Sequence, residues 1–342
     1  MTRADDAVNS MSSHPADPPR RIGFLLVPGF SMIAFASALE PLRVANRMAG
    51  RPLYAWQLLS LDADAVPASN GLLLQTARPA PESDDLSAMI VCAGFDPLSA
   101  YSERLARWFR RLDRQGRVLG GIDTGAFLLA AAGLLDGFRA TVHWEALGGF
   151  TEIFPAVETR SCLYEIDRRR ITCAGGTAAL DMMLEMIRTD HGGNLSAAVS
   201  EQFIYTNRRR ALDAQRLSVP ARYGTHDPRL NRAIAMIEDG APAPRSIAAI
   251  ARELDLSPRQ LNRIFAAGLG TSPKTFERER RLAQAQSLIE YSDDPLTEIA
   301  FACGFGSYEH FSRSYRKAFG ISPSDDRRRA SARARRPEPR MP

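Results

Sequence analysis

The sequence predicts an α/β domain built on a parallel sheet, followed by an all-α domain with two helix-turn-helix units. Three observations carry this expectation. Short apolar runs alternate with helical periodicities from Arg21 to about Gly193. Strand alternation is almost absent over residues 229–324. That second stretch also contains an internal repeat. A chain of 342 residues, 45% hydrophobic and 24% charged, suits two or three ordinary globular domains. Whole-chain disorder, a fibrous repeat and a disulfide scaffold are excluded. No apolar run approaches the roughly 18–20 residues that span a bilayer. The longest, Ala126–Leu135, is interrupted by Gly133.

In chain order, Met1–Arg20 is polar, rich in Pro, Ser and Asp, and has no apolar core of a secretory signal; a disordered leader is expected. Arg21–Pro28 is a continuous apolar run ending in Pro-Gly, as in a buried strand. Ser31–Met48 has helical spacing through Ile33, Ala36, Leu39 and Leu42. Trp56–Leu61, Leu72–Gln75 and Ala88–Phe95 read as strands. Ser102–Gln115 is an amphipathic helix with Leu105, Trp108, Phe109 and Leu112 on one side. Arg117–Asp123 gives a strand and Thr124–Leu135 a helix. Such alternation indicates βα units around a parallel sheet. Leu163–Gly175 suggests a hairpin turning at Asp167–Arg170. Ala178–Arg188 and Ser196–Arg208 close the unit, which is expected to span 21–207. The polar stretch 208–228, broken by Pro220, Gly224 and Pro228, is the linker candidate.

The repeat occupies Ser246–Pro273 and Pro295–Pro323. Ile250-Ala251 recurs as Ile299-Ala300. Leu261, Arg263, Phe265, Gly270, Ser272 and Pro273 correspond to Phe311, Arg313, Tyr315, Gly320, Ser322 and Pro323. Each copy reads as helix, tight turn, helix, over 247–266 and 296–316. Ser257 and Ser307 are placed to cap the second helices. Arg259, Gln260, Asn262 and Arg263 are left on the free face of the first. Tyr308, Glu309, His310, Ser312, Arg313 and Arg316 are left on the free face of the second. Arg can read guanine, and Asn or Gln adenine, from a helix lying in the major groove of double-stranded DNA. Solvated outer faces are the alternative, but two matched, capped copies favour base reading. Lys274, Arg316 and Lys317 are the phosphate candidates.

The net charge is +5, and residues 221–342 carry 21 Lys+Arg against 15 Asp+Glu. That imbalance suggests a polyanion partner. Much of it lies in the Arg-rich tail, expected to be disordered over 329–342; up to Asp326 this third holds 14 of each sign. The evidence for DNA is therefore the placement of side chains on the paired helices. Cys92, Cys162, Cys173 and Cys303 form no C-x-x-C, so no metal site is expected and the thiols are read as reduced; no cofactor is expected.

Residues 229–328, and above all IAFACGFGSYEHFSRSYRKAFGISP, resemble the DNA-binding domain of the AraC/XylS family of transcription regulators. One departure is Asp325-Asp326-Arg327, where many relatives have an aromatic residue before Arg. The N-terminal half, through IGFLLVPGFSMIAFASALEPLRVANR, GGIDTGAFLLAAAGLLDGFRATVHW and ITCAGGTAALDMML, resembles the class I glutamine amidotransferase-like (PfpI-like) domain of the GlxA-like regulators. The resemblance implies a flavodoxin-like parallel-sheet sensor domain. It also implies regulation of carnitine, glycine betaine or arginine catabolism, and dimerisation through this half or through Ala197–Tyr205.

Gly120–Gly125 reads as a strand, sharp turn and helix, the setting of a nucleophile elbow. Catalytic relatives carry Cys at the turn; here stand Asp123 and Thr124. A carboxylate is a poor substitute for a thiolate in acyl transfer, so no catalytic residue is assigned. The helix N-terminus is expected to keep Asp123 ionised, and Asp123 could equally be the N-cap of that helix. His143 could orient Asp123 or meet a ligand. Trp144 could face a quaternary ammonium, or simply pack in the core. Glu40 matches an acid that lines the pocket in PfpI-like proteins, or pairs with Arg43 on the surface. Together Glu40, Asp123, Thr124, His143 and Trp144 suggest a small cationic or zwitterionic amine as effector. The expected whole is a cytoplasmic, nucleoid-associated, ligand-responsive activator. It would act as a homodimer on DNA, in contact with RNA polymerase and without a membrane. The alternative is a PfpI-type amidase or deglycase carrying a DNA-binding tail.

Overall fold

The computed structural model describes residues 18–79, 85–239, 245–292 and 294–335. The N-terminal half begins with β1 (Arg20–Leu26), α1 (Met32–Ala49) and β2 (Tyr54–Leu59). A small hairpin, β3 (Ala65–Pro67) with β4 (Leu73–Gln75), follows. Next come β5 (Ala88–Cys92), α2 (Glu103–Arg114), β6 (Val118–Ile122) and α3 (Ala126–Ala131). The half continues through β7 (Arg139–Ala140), α4 (Leu147–Ile153), β8 (Glu158–Thr159), β9 (Tyr164–Asp167) and β10 (Arg170–Cys173), and closes with α5 (Ala178–His191) and α6 (Gly193–Gln202). The main sheet has the order β2-β1-β5-β6-β10-β9. All its pairings are parallel except β10 with β9.

Continuous apolar runs become central strands because both faces of the sheet are covered. One face packs against α1, α5 and α6 through Phe24, Phe35, Leu42 and Met183. The other packs against α2, α3 and α4 through Leu105, Phe109, Phe127 and Phe150. The strand order of the central four places the β6–α3 turn at the carboxyl edge of the sheet, where open α/β folds hold their ligands.

Several boundaries differ from the sequence reading. β1 takes in Arg20, which bonds Leu53 and pairs with Asp190, so the expected leader ends earlier; residues 1–17 lie outside the described ones. The helix expected over Thr124–Leu135 is confined to α3, because Gly133 adopts a φ of 72° and turns the chain. Ser196–Arg208 shortens to α6, where the chain turns back so that the Tyr205 hydroxyl and Arg209 reach buried Asp181.

The C-terminal half consists of α7 (Val219–Tyr223), α8 (Pro228–Asp239), α9 (Ile247–Glu253), α10 (Pro258–Leu269), α11 (Pro273–Tyr291), α12 (Leu296–Ala302), α13 (Tyr308–Phe319) and α14 (Pro323–Arg335). Leu230, Ile250, Leu261 and Phe265 centre one small core. Leu288, Ile299, Phe311 and Tyr315 centre the second. Residues 208–228 are no free tether: Arg208 pairs with Glu185, Gln215 donates to Thr141 Oγ1 and Val142 O, and Arg222 forks onto Glu238. The tail also departs from expectation. Ser322 accepts the backbone N–H of Asp325, acids fill the first turn, and an Arg/Ala-rich sequence sustains helix, so α14 runs to Arg335. Residues 336–342 lie outside the described ones. At the noted departure, Asp326 accepts a hydrogen bond from Tyr315 Oη at 2.6 Å, which ties α14 to α13. Among the described residues, no helix is long and apolar enough to cross a membrane, and no cluster suits a metal ion.

Candidate functional site

The turn after β6 is built by close approach. A Cβ on Gly125 would stand 2.1 Å from Val91 O, so only glycine lets α3 start against β5. Asp123 then takes a φ of 63°, the left-handed conformation that Asp tolerates better than most residues. Its N–H donates to Cys173 O at 2.9 Å, and its carbonyl accepts from the His143 N–H at 3.3 Å. Thr124 is buried and its hydroxyl donates to Gly94 O. The Asp123 carboxylate lies over Gly175, where a Cβ would meet Oδ2 at 2.8 Å.

Two expectations for Asp123 are corrected. It does not cap α3, whose N-cap is Gly125 with no side-chain bond. Nor does the helix N-terminus hold it firmly ionised. Burial, reinforced by the Glu145 carboxylate, pushes it up to about 7, against the opposing hydrogen bond from Thr124 N–H. Desolvation of a buried charge outweighs the dipole of a short helix.

His143 meets Asp123 through its backbone only. Its imidazole turns toward Glu145, with Nδ1 accepting from the Glu145 N–H at 3.4 Å and lying 3.6 Å from Oε2. Burial lowers the imidazole below its usual range despite that acid. Trp144 is not core: it is 39% exposed, and the Arg216 guanidinium lies over its ring, 4.4 Å from the centroid. Glu40 is paired with Arg43 at 2.7 Å, the surface alternative, and no hydrogen bond or ion pair among the described residues joins it to Asp123 or His143. The structure therefore brings together Asp123, Thr124, His143 and Trp144, and leaves Glu40 apart. Sequence reasoning missed Glu145 and Arg216. Glu145 had a local signal, two residues after His143.

Asp123 occupies the β6–α3 turn, and Cys173 supplies no reactive thiol beside it. It is fully buried, and burial pushes its thiol up to about 12. A thiol that stays protonated at neutral pH is a weak nucleophile.

The two repeat copies present matched helices. In α10, Ser257 and Gln260 form a reciprocal capping box behind Pro258. In α13, Ser307 accepts the His310 N–H at 3.2 Å. Both helices end at a left-handed glycine, Gly270 and Gly320. Arg259 and Arg263 are exposed on α10 and Glu309, His310 and Arg313 on α13. Lys274, Arg316 and Lys317 are exposed near helix ends. Four candidates are less free than expected, Arg313 the least held, with Nε donating to Glu309 O at 3.4 Å. Gln260 Oε1 accepts from the Ser257 N–H, because the cap needs it. Asn262 Nδ2 donates to Pro258 O at 2.8 Å, within its own helix. Tyr308 is half-buried against Phe311, with its hydroxyl 3.4 Å from Ser324 Oγ. α11 joins the copies with 19 residues, about 28 Å of helix. One DNA turn is about 34 Å.

The halves touch beside the elbow. Ser287 Oγ of α11 donates to Glu145 O at 2.7 Å. Tyr291 is buried with its ring 5.6 Å from Phe127.

Residues 250–329 match a helix-turn-helix domain model. The chain is 45% identical over 304 residues to the HTH-type transcriptional regulator CdhR of Pseudomonas aeruginosa, covering 89% of this chain and 90% of that one. It is 41% identical over 309 residues to GbdR of the same species, with 90% and 84% covered. It is 38% identical over 314 residues to GlxA of Rhizobium meliloti, covering 92% and 97%. A crystal structure of an AraC family transcriptional regulator from Pseudomonas putida superposes with a TM-score of 0.51 at 30% identity, covering 54% of this chain and all of that one.

Proposed function

The chain belongs to the AraC family of HTH-type transcription regulators, and on that premise we propose that it is a ligand-responsive, sequence-specific activator of amine catabolic genes. The observation that carries DNA reading is the pair of capped helices, α10 and α13, with Arg259, Arg263 and Arg313 exposed. Arginine in this position forms bidentate contacts to guanine in the major groove, and α11 sets the spacing of two such contacts. Lys274, Arg316 and Lys317 supply phosphate contacts. The chain works in the cytoplasm on the nucleoid as a homodimer, and activation requires contact with RNA polymerase.

The effector is a small cationic or zwitterionic amine held near Asp123, Thr124, His143 and Trp144. Asp123 and Glu145 supply negative charge, and Trp144 an aromatic face, a set that suits a cation better than an anion. Asp123 at the elbow and a buried, protonated Cys173 support sensing over amidase or deglycase chemistry. Binding-site selection with the purified chain, with and without betaines, carnitine and arginine, tests the whole reading. The expected result is a bipartite site whose affinity changes with one amine. Sequence-independent binding, or a response to anions alone, would overturn it.

A further inference from the structure

The side chain on the Trp144 ring belongs to the segment that leads into the DNA-binding half. Arg216 stands over the indole at 4.4 Å, and its Nη1 lies 3.6 Å from Glu238 Oε1 of α8. It therefore bridges the two halves. The preceding residue fixes this segment on the same stretch of the α/β domain. Gln215 Nε2 donates to Thr141 Oγ1, Val142 O and Cys162 O at 3.0, 3.0 and 2.8 Å. Its Oε1 is buried with no donor among the described residues, so the attachment is incomplete. An unsatisfied buried acceptor favours states in which the segment lifts and regains water.

A guanidinium over an indole face is the contact an amine cation would make there. One ring face holds one cation. We propose that Arg216 is the chain's own occupant of the effector site, that it couples Trp144 to Glu238, and that an effector cation takes the ring by displacing it. The inference rests on the reading of Trp144 as part of a cation site.

The partners of Glu238 make the exchange feasible. Arg222 holds this carboxylate through two nitrogens, and Tyr223 Oη donates to it at 2.9 Å. The longer contact to Arg216 is a supplement. When Arg216 leaves, α7 and α8 stay joined, and what is lost is the link from Glu238 to the Trp144 ring. Displacement thus frees α7 and α8 from the Trp144 face without disrupting the fold of the DNA-binding half, while the α11 contacts at Glu145 and Phe127 remain, as a population shift requires.

The full chain labelled with 5-fluorotryptophan gives one fluorine resonance for each of its three tryptophans. Trp144→Phe identifies the relevant one. Without ligand, Arg216→Ala should move the Trp144 resonance and raise hydrogen exchange in α7 and α8. Tetramethylammonium chloride, titrated at constant ionic strength, should bind Arg216→Ala about 3- to 10-fold more tightly than wild type, because an internal competitor is gone. Arg216→Lys should fall between them. Equal or weaker binding by Arg216→Ala overturns the exchange. A Trp144 resonance that no tetramethylammonium moves, even in Arg216→Ala, overturns it too. The broader amine reading fails separately. If betaines, carnitine or arginine raise the thermal midpoint while Trp144 stays silent, the amine site stands and the exchange with Arg216 falls. If none of them does and Trp144 is silent, both fall.

Discussion

Replacing Asp123 by Asn keeps the shape of the elbow side chain and removes its proton equilibrium. In the folded chain this carboxyl group titrates at about 7, raised by burial and by Glu145. In the unfolded chain it returns to about 3.9. The folded state holds the proton more tightly, so a rise in pH between those values favours the unfolded state. The contribution of this group is fully present below the unfolded value and is lost as pH climbs through the folded one. Each pH unit in that window costs about 1.4 kcal/mol. Wild type should therefore lose about 2–3 kcal/mol relative to Asp123→Asn between about pH 5 and pH 8. Urea denaturation followed by tryptophan fluorescence measures this directly. Trp56, Trp108 and Trp144 all lie in the α/β half, so the signal reports on that half alone. Stability curves that run parallel for the two chains across this range would show that burial does not hold the proton on Asp123.

The same titration should gate the proposed amine. Asp123 is about one-tenth ionised at pH 6, so amine affinity measured by calorimetry should be about tenfold weaker than at pH 8 and nearly flat in Asp123→Asn; affinity that falls as pH rises places the cation elsewhere. Arg263→Ala and Arg313→Ala should each cost about 1–3 kcal/mol confined to one base pair in a selection experiment, and a uniform loss would make that arginine a phosphate contact. Phe311→Ala removes a fully buried ring from the second small core and should cost about 3–5 kcal/mol in hydrogen exchange of α12 and α13, with the tryptophan transition unmoved. Gly149→Leu places a side chain where a Cβ already stands 3.6 Å from Leu288 Cδ2, so it should force α4 from α11, raise exchange at the end of α11 and change DNA affinity. Unaltered exchange there would mean that this contact bears no load.

The central strands were legible because strands buried on both faces leave continuous apolar runs, as in Ala88–Cys92. The paired motifs were legible because their turns repeat the same chemistry: a Ser N-cap, apolar residues at helical spacing, and a terminal glycine. The short elements were not. β7 and β8 hold two residues each, too few for any period to register. The commitment of Gln260 to its cap could have been seen, since Ser257 and Gln260 have the spacing of a capping box. The charge state of Asp123 could not, because burial and Glu145 act through tertiary structure and override the local helix dipole. The cation over Trp144 left no local sign either. Arg216 sits in a polar stretch whose composition marks a linker, and only folding lays it against the ring.

Besides the Tyr291–Phe127 ring contact, contacts between the halves gather on one short stretch. Val142 O receives Gln215, the Trp144 ring carries Arg216, Glu145 O receives Ser287, and Gly149 faces Leu288. The His143 N–H at the head of this stretch bonds Asp123 O. A ligand at the elbow therefore need not send a signal across the domain, because the elements it would disturb already bear on α8 and α11. The energies suit the task. A cation–π contact is worth about 0.5–2 kcal/mol and a hydrogen bond about 0.5–1.5 kcal/mol. Exchanging one or two of these lies within the about 1–3 kcal/mol that couples sites in allosteric proteins, a 5- to 150-fold change in affinity. A stronger interface would lock the halves against any small ligand, and a weaker one would leave the DNA-binding half indifferent to it.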